Sequence, residues 1–86
     1  MERTDIIPPT EAELQMSFVA SCIESAAKAA HTDYLSMLRR MNKVQLIERY
    51  IYPCYDTLHT ESRQAATQDV LQCLVRWEAQ QEGGAQ

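Results

Sequence analysis

The chain has 86 residues, of which 45% are apolar and 23% are charged, and its formal net charge is −4. This length supports one small domain with a thin core and argues against a multidomain enzyme. The composition is that of a folded protein, and the negative charge argues against a general nucleic-acid binder, which needs a basic face.

Glycine and proline are scarce in the interior of the chain. The only glycines are Gly83 and Gly84, and Pro53 is the single proline between Pro9 and that pair. Tight two-residue hairpins and phosphate-binding loops both need glycine, so an all-β fold and a nucleotide loop are disfavoured. We therefore expect an all-α protein.

Apolar periodicity predicts a compact four-helix domain, because apolar side chains recur at the three- and four-residue steps of one helix face. The predicted helices cover residues 11–30, 33–41, 43–52 and 61–81. The domain itself spans residues 10–82, between a flexible N-terminal lead at 1–9 and a flexible tail at 83–86.

The first helix begins at a capping box. Thr10 and Glu13 have the spacing at which the hydroxyl accepts from the N–H of Glu13 and the carboxylate reaches back to the N–H of Thr10. The stripe predicted to face the core consists of Leu14, Phe18, Val19, Cys22, Ile23, Ala26, Ala27 and Ala30.

Two shorter helices follow. Thr32 is predicted to cap the second helix, and Asn42 with Gln45 to cap the third. The buried side of the second helix is predicted to be Leu35, Leu38 and Met41, flanked by Tyr34 and Met37. The corresponding stripe of the third helix is Val44, Ile47, Tyr50 and Ile51, and Pro53 ends or kinks that helix.

Residues 53–60 form a connection rich in polar and aromatic groups. Asp56 and His59 are three residues apart, so the carboxylate could orient the imidazole as a general base or metal ligand. The alternative is that both side chains bind the backbone of the turn and cap the next helix. Because no nucleophile is fixed by this spacing, we predict no catalytic residues, no metal site and no cofactor.

The fourth helix is predicted to begin near Glu61 or Ser62. Its core stripe is Ala66, Val70, Leu74 and Trp77, with Leu71, Cys73 and Val75 widening the apolar side. Before it, Tyr50, Tyr52 and Tyr55 cluster around the proline, where they form either a partner surface or ordinary core.

The cysteines are predicted to be reduced and packed in apolar surroundings: Cys22, Cys54 and Cys73. They lack the spacing of zinc ligands, and an odd number cannot pair completely within one chain. With no secretory signal and no apolar run of about 20 residues, the sequence predicts a cytoplasmic protein without a membrane segment. The basic group Arg39, Arg40, Lys43 and Arg49 is either a solvated helix face or a contact for an anionic partner.

Two strings resemble a small, uncharacterised family of bacterial helical proteins. They are Pro53-Cys54-Tyr55-Asp56-Thr57-Leu58-His59-Thr60 and, in the first helix, Phe18-Val19-Ala20-Ser21-Cys22-Ile23-Glu24. The resemblance covers residues 14–78. It departs from the family pattern at Gln45, where glycine is usual, and at Ala65-Ala66, where an aromatic or β-branched pair is more usual.

Such proteins carry no assigned catalysis and are often encoded beside ADP-ribosyltransferase-like proteins. The resemblance therefore implies a protein–protein interaction module, an antitoxin or adaptor for a toxin-like enzyme. The candidate partner-binding or signature residues are Tyr50, Tyr52, Tyr55, Asp56, Leu58, His59 and Thr60. Two alternatives stay open, namely a homodimeric structural protein and a small enzyme that uses Asp56 and His59.

Overall fold

The computed structural model describes residues 9–84 of the chain, with side chains described as far as residue 81. All regular secondary structure in this range is helical, which confirms the predicted fold class. The segments are α1 (Glu11–Ala29), α2 (Tyr34–Lys43), a π-helical turn (Ile47–Ile51), α3 (Tyr55–Leu58) and α4 (Arg63–Gly84). The described chain thus has five helical segments, where the periodicity predicts four. The predicted lead and tail lie outside the described residues at positions 1–8 and 85–86.

The predicted capping box at the start of α1 is confirmed. The N–H of Thr10 donates to Oε1 of Glu13 at 2.8 Å, and the N–H of Glu13 donates to Oγ1 of Thr10 at 3.2 Å. These two bonds satisfy backbone donors that the first helical turn leaves without intrahelical partners.

The end of α1 is a Schellman turn made without glycine. His31 has a left-handed backbone with φ of 58°, a conformation that histidine tolerates better than most residues. Its N–H donates to the carbonyl of Lys28 at 3.2 Å, and the N–H of Thr32 donates to the carbonyl of Ala27 at 2.9 Å. Because Thr32 belongs to this turn, its predicted capping role is wrong.

Asp33 caps α2 instead. Its carboxylate accepts from the N–H of Ser36 at 3.0 Å and from the Ser36 hydroxyl at 2.6 Å. The predicted cap at Asn42 is also wrong, since α2 continues to Lys43. Gln45 then closes the helix with φ of 58°, and its N–H donates to the carbonyl of Asn42 at 3.1 Å.

The predicted third helix is replaced by a π-helical turn. The N–H of Tyr52 donates to the carbonyl of Ile47 at 3.0 Å, the five-residue bond that defines a π-turn. The wider turn leaves Ile51 fully buried and Tyr50 half-buried. Apolar spacing alone does not distinguish this geometry from an α-helix.

The core draws apolar side chains from every helical segment: Val19, Cys22, Ile23, Ala26, Ala27, Met37, Met41, Val44, Leu46, Ile51, Leu58, Ala66, Val70, Cys73 and Leu74. Leu14 and Leu35, which the periodicity places in the core, are instead 48% and 57% exposed. Both lie in the first turn of a helix, whereas the buried residues of α1 begin at Val19 and those of α2 at Met37.

The long helix α4 packs against α1 and reaches the end of α2. Ser62 precedes it, and the Ser62 hydroxyl accepts from the N–H of Ala65 at 3.1 Å, as an N-cap does. The helix continues to Gly84, past the predicted end at residue 81. None of the helices in the described range is long and apolar enough to cross a membrane.

Candidate functional site

The connection between the π-turn and α4 contains the single helical turn α3. The N–H of Leu58 donates to the carbonyl of Cys54 at 2.8 Å, and the N–H of His59 donates to that of Tyr55 at 2.9 Å. Leu58 is only 2% exposed and lies in the core. Its burial anchors α3, so the neighbouring polar residues are presented outward from a fixed backbone.

Two ring contacts meet at Tyr55 of α3, and we call the three residues involved, Phe18, Tyr55 and His59, the aromatic stack. The Tyr55 ring meets the edge of the Phe18 ring at a centroid distance of 5.4 Å and an interplanar angle of 83°. It also lies parallel to the His59 ring at 4.5 Å with an angle of 3°. Edge-to-face and stacked geometries are both favourable for aromatic pairs. The stack therefore holds α3 against α1.

His59 is oriented by the backbone and not by Asp56. Its Nδ1 lies 2.9 Å from the carbonyl oxygen of Tyr55, and because a carbonyl only accepts, Nδ1 carries the hydrogen of this bond. Asp56 is exposed, and among the described residues no hydrogen bond joins its carboxylate to His59. His59 thus binds the turn, while Ser62 caps the following helix.

Thr60 completes the turn. Its hydroxyl donates to the carbonyl of Thr57 at 2.8 Å, so this side chain also satisfies the local backbone. Asp56, His59 and Thr60 are all exposed, whereas Tyr55 is half-buried. The exposed part of the signature is therefore a compact polar patch on one helical turn.

A small cleft of about 210 Å³, lined by both polar and apolar side chains, opens beside His59 between α1 and the start of α4. Ser21 and Ser25 contribute hydroxyls from α1, and Arg63 contributes a guanidinium from α4. Nη1 of Arg63 donates to Oγ of Ser25 at 3.1 Å, a contact between residues 38 positions apart in sequence. No sequence pattern points to Arg63 or to either serine, because a contact between residues so far apart in the chain leaves no local signal.

Two titratable groups that line the cleft, the Glu61 carboxyl and the Cys22 thiol, have raised pKa values. A hydrogen bond shared with the Asp69 carboxyl group raises the pKa of Glu61, and burial and the charge of Asp69 add to the effect. Burial raises the pKa of the Cys22 thiol to about 11, against the opposing effect of the Arg63 charge. The Cys22 thiol is therefore protonated and unreactive at neutral pH.

The three tyrosines around Pro53 do not form one surface. Tyr50 packs edge-to-face on Trp77 of α4, at a centroid distance of 6.2 Å and an angle of 72°. Its burial, followed by the charge of Asp69, raises the pKa of Tyr50. Tyr52 is 37% exposed, and Tyr55 belongs to the aromatic stack near α1.

Two members of the predicted basic cluster are engaged within the molecule. Arg40 forms a bidentate ion pair with Glu78, with N–O distances of 2.8 and 2.7 Å. The Arg49 guanidinium lies over the Trp77 ring at 4.9 Å. The first contact attaches the second half of α4 to α2 and the second attaches it to the π-helical turn, so both arginines take part in packing within the molecule.

Comparison with known proteins identifies one family. A model described as "Protein of unknown function (DUF3791)" matches residues 17–77, more than two thirds of the chain. No curated protein and no solved structure matches the chain. Within the described residues, no group of three or more His, Cys, Asp or Glu side chains is arranged to hold a metal ion.

Proposed function

The chain belongs to the DUF3791 family, and from this premise we propose that it is a protein–protein interaction module. Its contact surface is the α3 patch, by which we mean Tyr55, Asp56, His59 and Thr60. The aromatic stack is the observation that carries this proposal. It fixes α3 before any partner binds, so little conformational entropy remains to be lost on association.

The chemistry of the patch suits a protein contact. Tyr55 and His59 offer ring surface with polar atoms, and tyrosine is enriched at the energetic centres of interfaces. Asp56 and Thr60 supply exposed polar groups around these rings. Leu58 takes part only indirectly, since it lies in the core.

We further propose that the partner is a toxin-like enzyme of the ADP-ribosyltransferase-like class, for which this chain is an antitoxin or adaptor. The sequence resemblance suggests that class through gene neighbourhood. The net charge of −4 suits a basic cleft on an enzyme that binds a negatively charged dinucleotide. This function would place the protein in the cytoplasm.

A small enzyme built on Asp56 and His59 is the less favoured candidate. A catalytic pair needs the carboxylate to orient the imidazole, whereas Nδ1 of His59 is bound to the Tyr55 carbonyl. The small cleft beside His59, with its serine hydroxyls and the Arg63 guanidinium, is the observation in favour of this alternative. We propose a binding role without catalysis.

Co-purification with the adjacent enzyme tests the proposal. A tagged chain should retain the ADP-ribosyltransferase-like product of the neighbouring gene, and calorimetry should give its Kd. Asp56→Lys reverses an exposed charge in the patch and should weaken binding by about tenfold or more. Glu48→Lys is the matched control, because Glu48 is equally exposed but lies in the π-turn.

Failure to retain the enzyme removes the proposed partner. Equal affinities for the two lysine variants would instead keep the partner and reject the α3 patch. His59→Ala gives a third measurement, since loss of a hydrolytic or transferase activity in a folded variant would favour the enzyme alternative.

A further inference from the structure

The cleft between α1 and the start of α4 contains hydrogen-bond donors that the fold does not use. The Arg63 guanidinium carries several N–H groups, and the one at Nη1 donates to Oγ of Ser25 at 3.1 Å. Within the described residues, no other hydrogen bond and no ion pair engages this guanidinium. The Ser25 hydroxyl accepts that bond, and its own hydrogen has no acceptor among the same residues. Both groups can therefore donate to a ligand.

The other two hydroxyl groups of the cleft already donate to the backbone. Oγ of Ser21 donates to the carbonyl of Phe18 at 2.8 Å, and Oγ1 of Thr67 donates to the carbonyl of Arg63 at 2.7 Å. The arginine and hydroxyl donors that remain are thus one guanidinium edge and the adjacent Ser25 hydroxyl. This set matches a carboxylate, whose two oxygens arginine binds with parallel N–H groups.

Acidic groups do not oppose an anion at this point. Glu61 borders the cleft, but its carboxyl group is hydrogen-bonded with that of Asp69. Because Asp69 lines a different depression, together with Tyr50, the Glu61 carboxyl group is directed away from the cleft. Burial raises the pKa of the Cys22 thiol to about 11, so this group of the cleft is uncharged at neutral pH. An incoming ligand therefore meets the positive charge of Arg63.

The floor of the cleft is apolar. Phe18, Leu58 and Ala66 line it beside the donors, and Phe18 is only half-buried, so a ligand can cover more of its ring. The cleft volume of about 210 Å³ is smaller than the roughly 300–1,000 Å³ of pockets that hold drug-sized ligands. The cleft thus suits a small ligand that has an apolar part and an anionic end.

We propose that this cleft binds a short-chain organic acid, with its carboxylate on Arg63 and Ser25 and its hydrocarbon part against Phe18. The bond between Arg63 and Ser25 holds the guanidinium at the cleft before a ligand arrives, which reduces the entropy lost on binding. One charge-assisted contact and a small apolar area give weak binding, with a Kd in about the millimolar range.

The inference does not depend on the proposed enzyme partner. Arg63 and Ser25 lie outside the α3 patch, although His59 borders both the patch and the cleft. The ligand is measured on the isolated chain, so the acid site and the protein contact can each fail without the other.

An NMR titration of the isotope-labelled full chain with hexanoate at constant ionic strength tests the inference. The backbone amide signals of Ser25 and Arg63 should shift and saturate, with a Kd in about the millimolar range. Two matched ligands separate the contributions, since acetate lacks the hydrocarbon chain and hexan-1-ol lacks the charge. Each should bind about tenfold more weakly than hexanoate.

Substitutions locate the site. Arg63→Gln removes the charge of an exposed side chain and should raise the Kd for hexanoate by about tenfold. Ser25→Ala removes one donor and should raise it by about threefold. Arg76→Gln is the matched control, because Arg76 is an equally exposed arginine of α4 outside the cleft, and it should leave the Kd unchanged. The amide spectrum of each variant shows whether it is folded.

Several results would overturn the inference. One is the absence of saturable shifts up to about 50 mM hexanoate, well above the expected Kd. Equal Kd values for the wild type and Arg63→Gln would place the ligand on another surface. Equal affinities for hexanoate and hexan-1-ol would show that the carboxylate is not recognised. An equal loss of affinity in Arg76→Gln would assign the effect to the net charge of the chain and reject the cleft.

Discussion

The two halves of α4 are attached to the rest of the molecule by different chemistry. The first half packs small and apolar residues, Ala66 and Val70, close against α1. The second half is attached through side chains that carry charge or aromatic rings: Arg40 to Glu78, and Arg49 to Trp77. One helix thus joins a region stabilised mainly by exclusion of water to one stabilised partly by electrostatic contacts.

Two carboxyl groups, Glu61 just before α4 and Glu78 in its second half, respond to pH in opposite directions. The hydrogen bond with Arg40 lowers the pKa of Glu78, so its ionised form stabilises the fold. The hydrogen bond with Asp69 raises the pKa of Glu61, so ionisation of that group destabilises the fold. Lowering the pH should therefore remove the favourable charge contact of Glu78 and relieve the unfavourable one of Glu61.

The largest effect is expected at the boundary between the halves. Leu74 is fully buried, and Leu74→Ala should lower the free energy of unfolding by about 3 kcal/mol through lost burial and a cavity. The neighbouring Val75→Ala removes exposed methyl groups and should change it by less than about 0.5 kcal/mol. Urea unfolding measures both, and equal losses would mean that the buried and exposed sides of α4 are wrongly assigned.

Overpacking tests the close approach in the first half. Ala66 is buried against the core, so Ala66→Leu should destabilise the protein by about 2 kcal/mol. Ala79→Leu makes the same change at an exposed position of the second half and should be nearly neutral. Thermal unfolding followed by circular dichroism compares them, and a tolerated leucine at position 66 would contradict tight packing there.

The ion pair tests the second half. Glu78→Gln should lower stability at pH 7 by about 0.5–1 kcal/mol, a modest value because both side chains remain partly exposed. The difference from wild type should vanish as pH falls from about 4.3 through the lowered pKa of Glu78, since protonation removes the same charge. Urea titrations at several pH values measure this, and Glu48→Gln, at an exposed position, serves as the control. A constant difference at all pH values would rule out the charge as its origin.

The turn that positions the end of α2 offers a smaller test. Gln45 has φ of 58°, which costs a residue with a Cβ about 1–2 kcal/mol. Gln45→Gly removes this strain but increases the entropy of the unfolded chain, leaving a net gain of about 0.5 kcal/mol. Gln68→Gly, inside α4, should instead lose about 0.5–1 kcal/mol. If both variants lose stability in chemical denaturation, the left-handed turn is not strained.

Glu61→Gln should produce the smallest change. The glutamine cannot ionise, whereas in the wild type the Asp69 carboxyl group disfavours the ionised form of Glu61. The free energy of unfolding of the wild type should therefore fall relative to the variant as pH rises from about 4.3 through the raised pKa of Glu61. The melting temperatures of the wild type and the variant should therefore be equal at low pH and differ at higher pH, where the wild type should melt at the lower temperature. If the two melting temperatures differed only at low pH, the ionised form of Glu61 would not destabilise the fold. The unfavourable interaction between the Glu61 and Asp69 carboxyl groups would then be rejected.

The sequence alone predicted those features of the fold that depend on residues close together in the chain. The capping box of Thr10 and Glu13 and the buried stripe from Val19 to Ala27 depend on neighbouring residues, and both are present. The end of α2 was harder to predict because a glycine usually marks such a turn, and here Gln45 adopts the left-handed backbone. The glycine expected by the resemblance at that position is what this backbone favours.

The candidate site was predictable only in part. The sequence pointed to the connection at residues 53–60 and to its histidine, but it did not predict the helical turn α3. It also could not decide whether Asp56 or the backbone orients His59, because that depends on how this turn winds. It also missed the Arg63–Ser25 contact and separated neither Tyr50 from Tyr55 nor core from surface at Leu58. These features arise from tertiary packing, which periodicity does not encode.

Because Ile47–Ile51 is a π-helical turn, the number of residues between α2 and α3 determines which way the following side chains point. A π-turn accommodates one residue more than an α-helical turn, so deleting a single residue here would allow an ordinary α-helix to form. Each residue of an α-helix advances the direction of the side chains by about 100°. Insertions and deletions between α2 and α3 should therefore be tolerated less than substitutions, because they would turn Tyr55 and His59 away from Phe18 of α1.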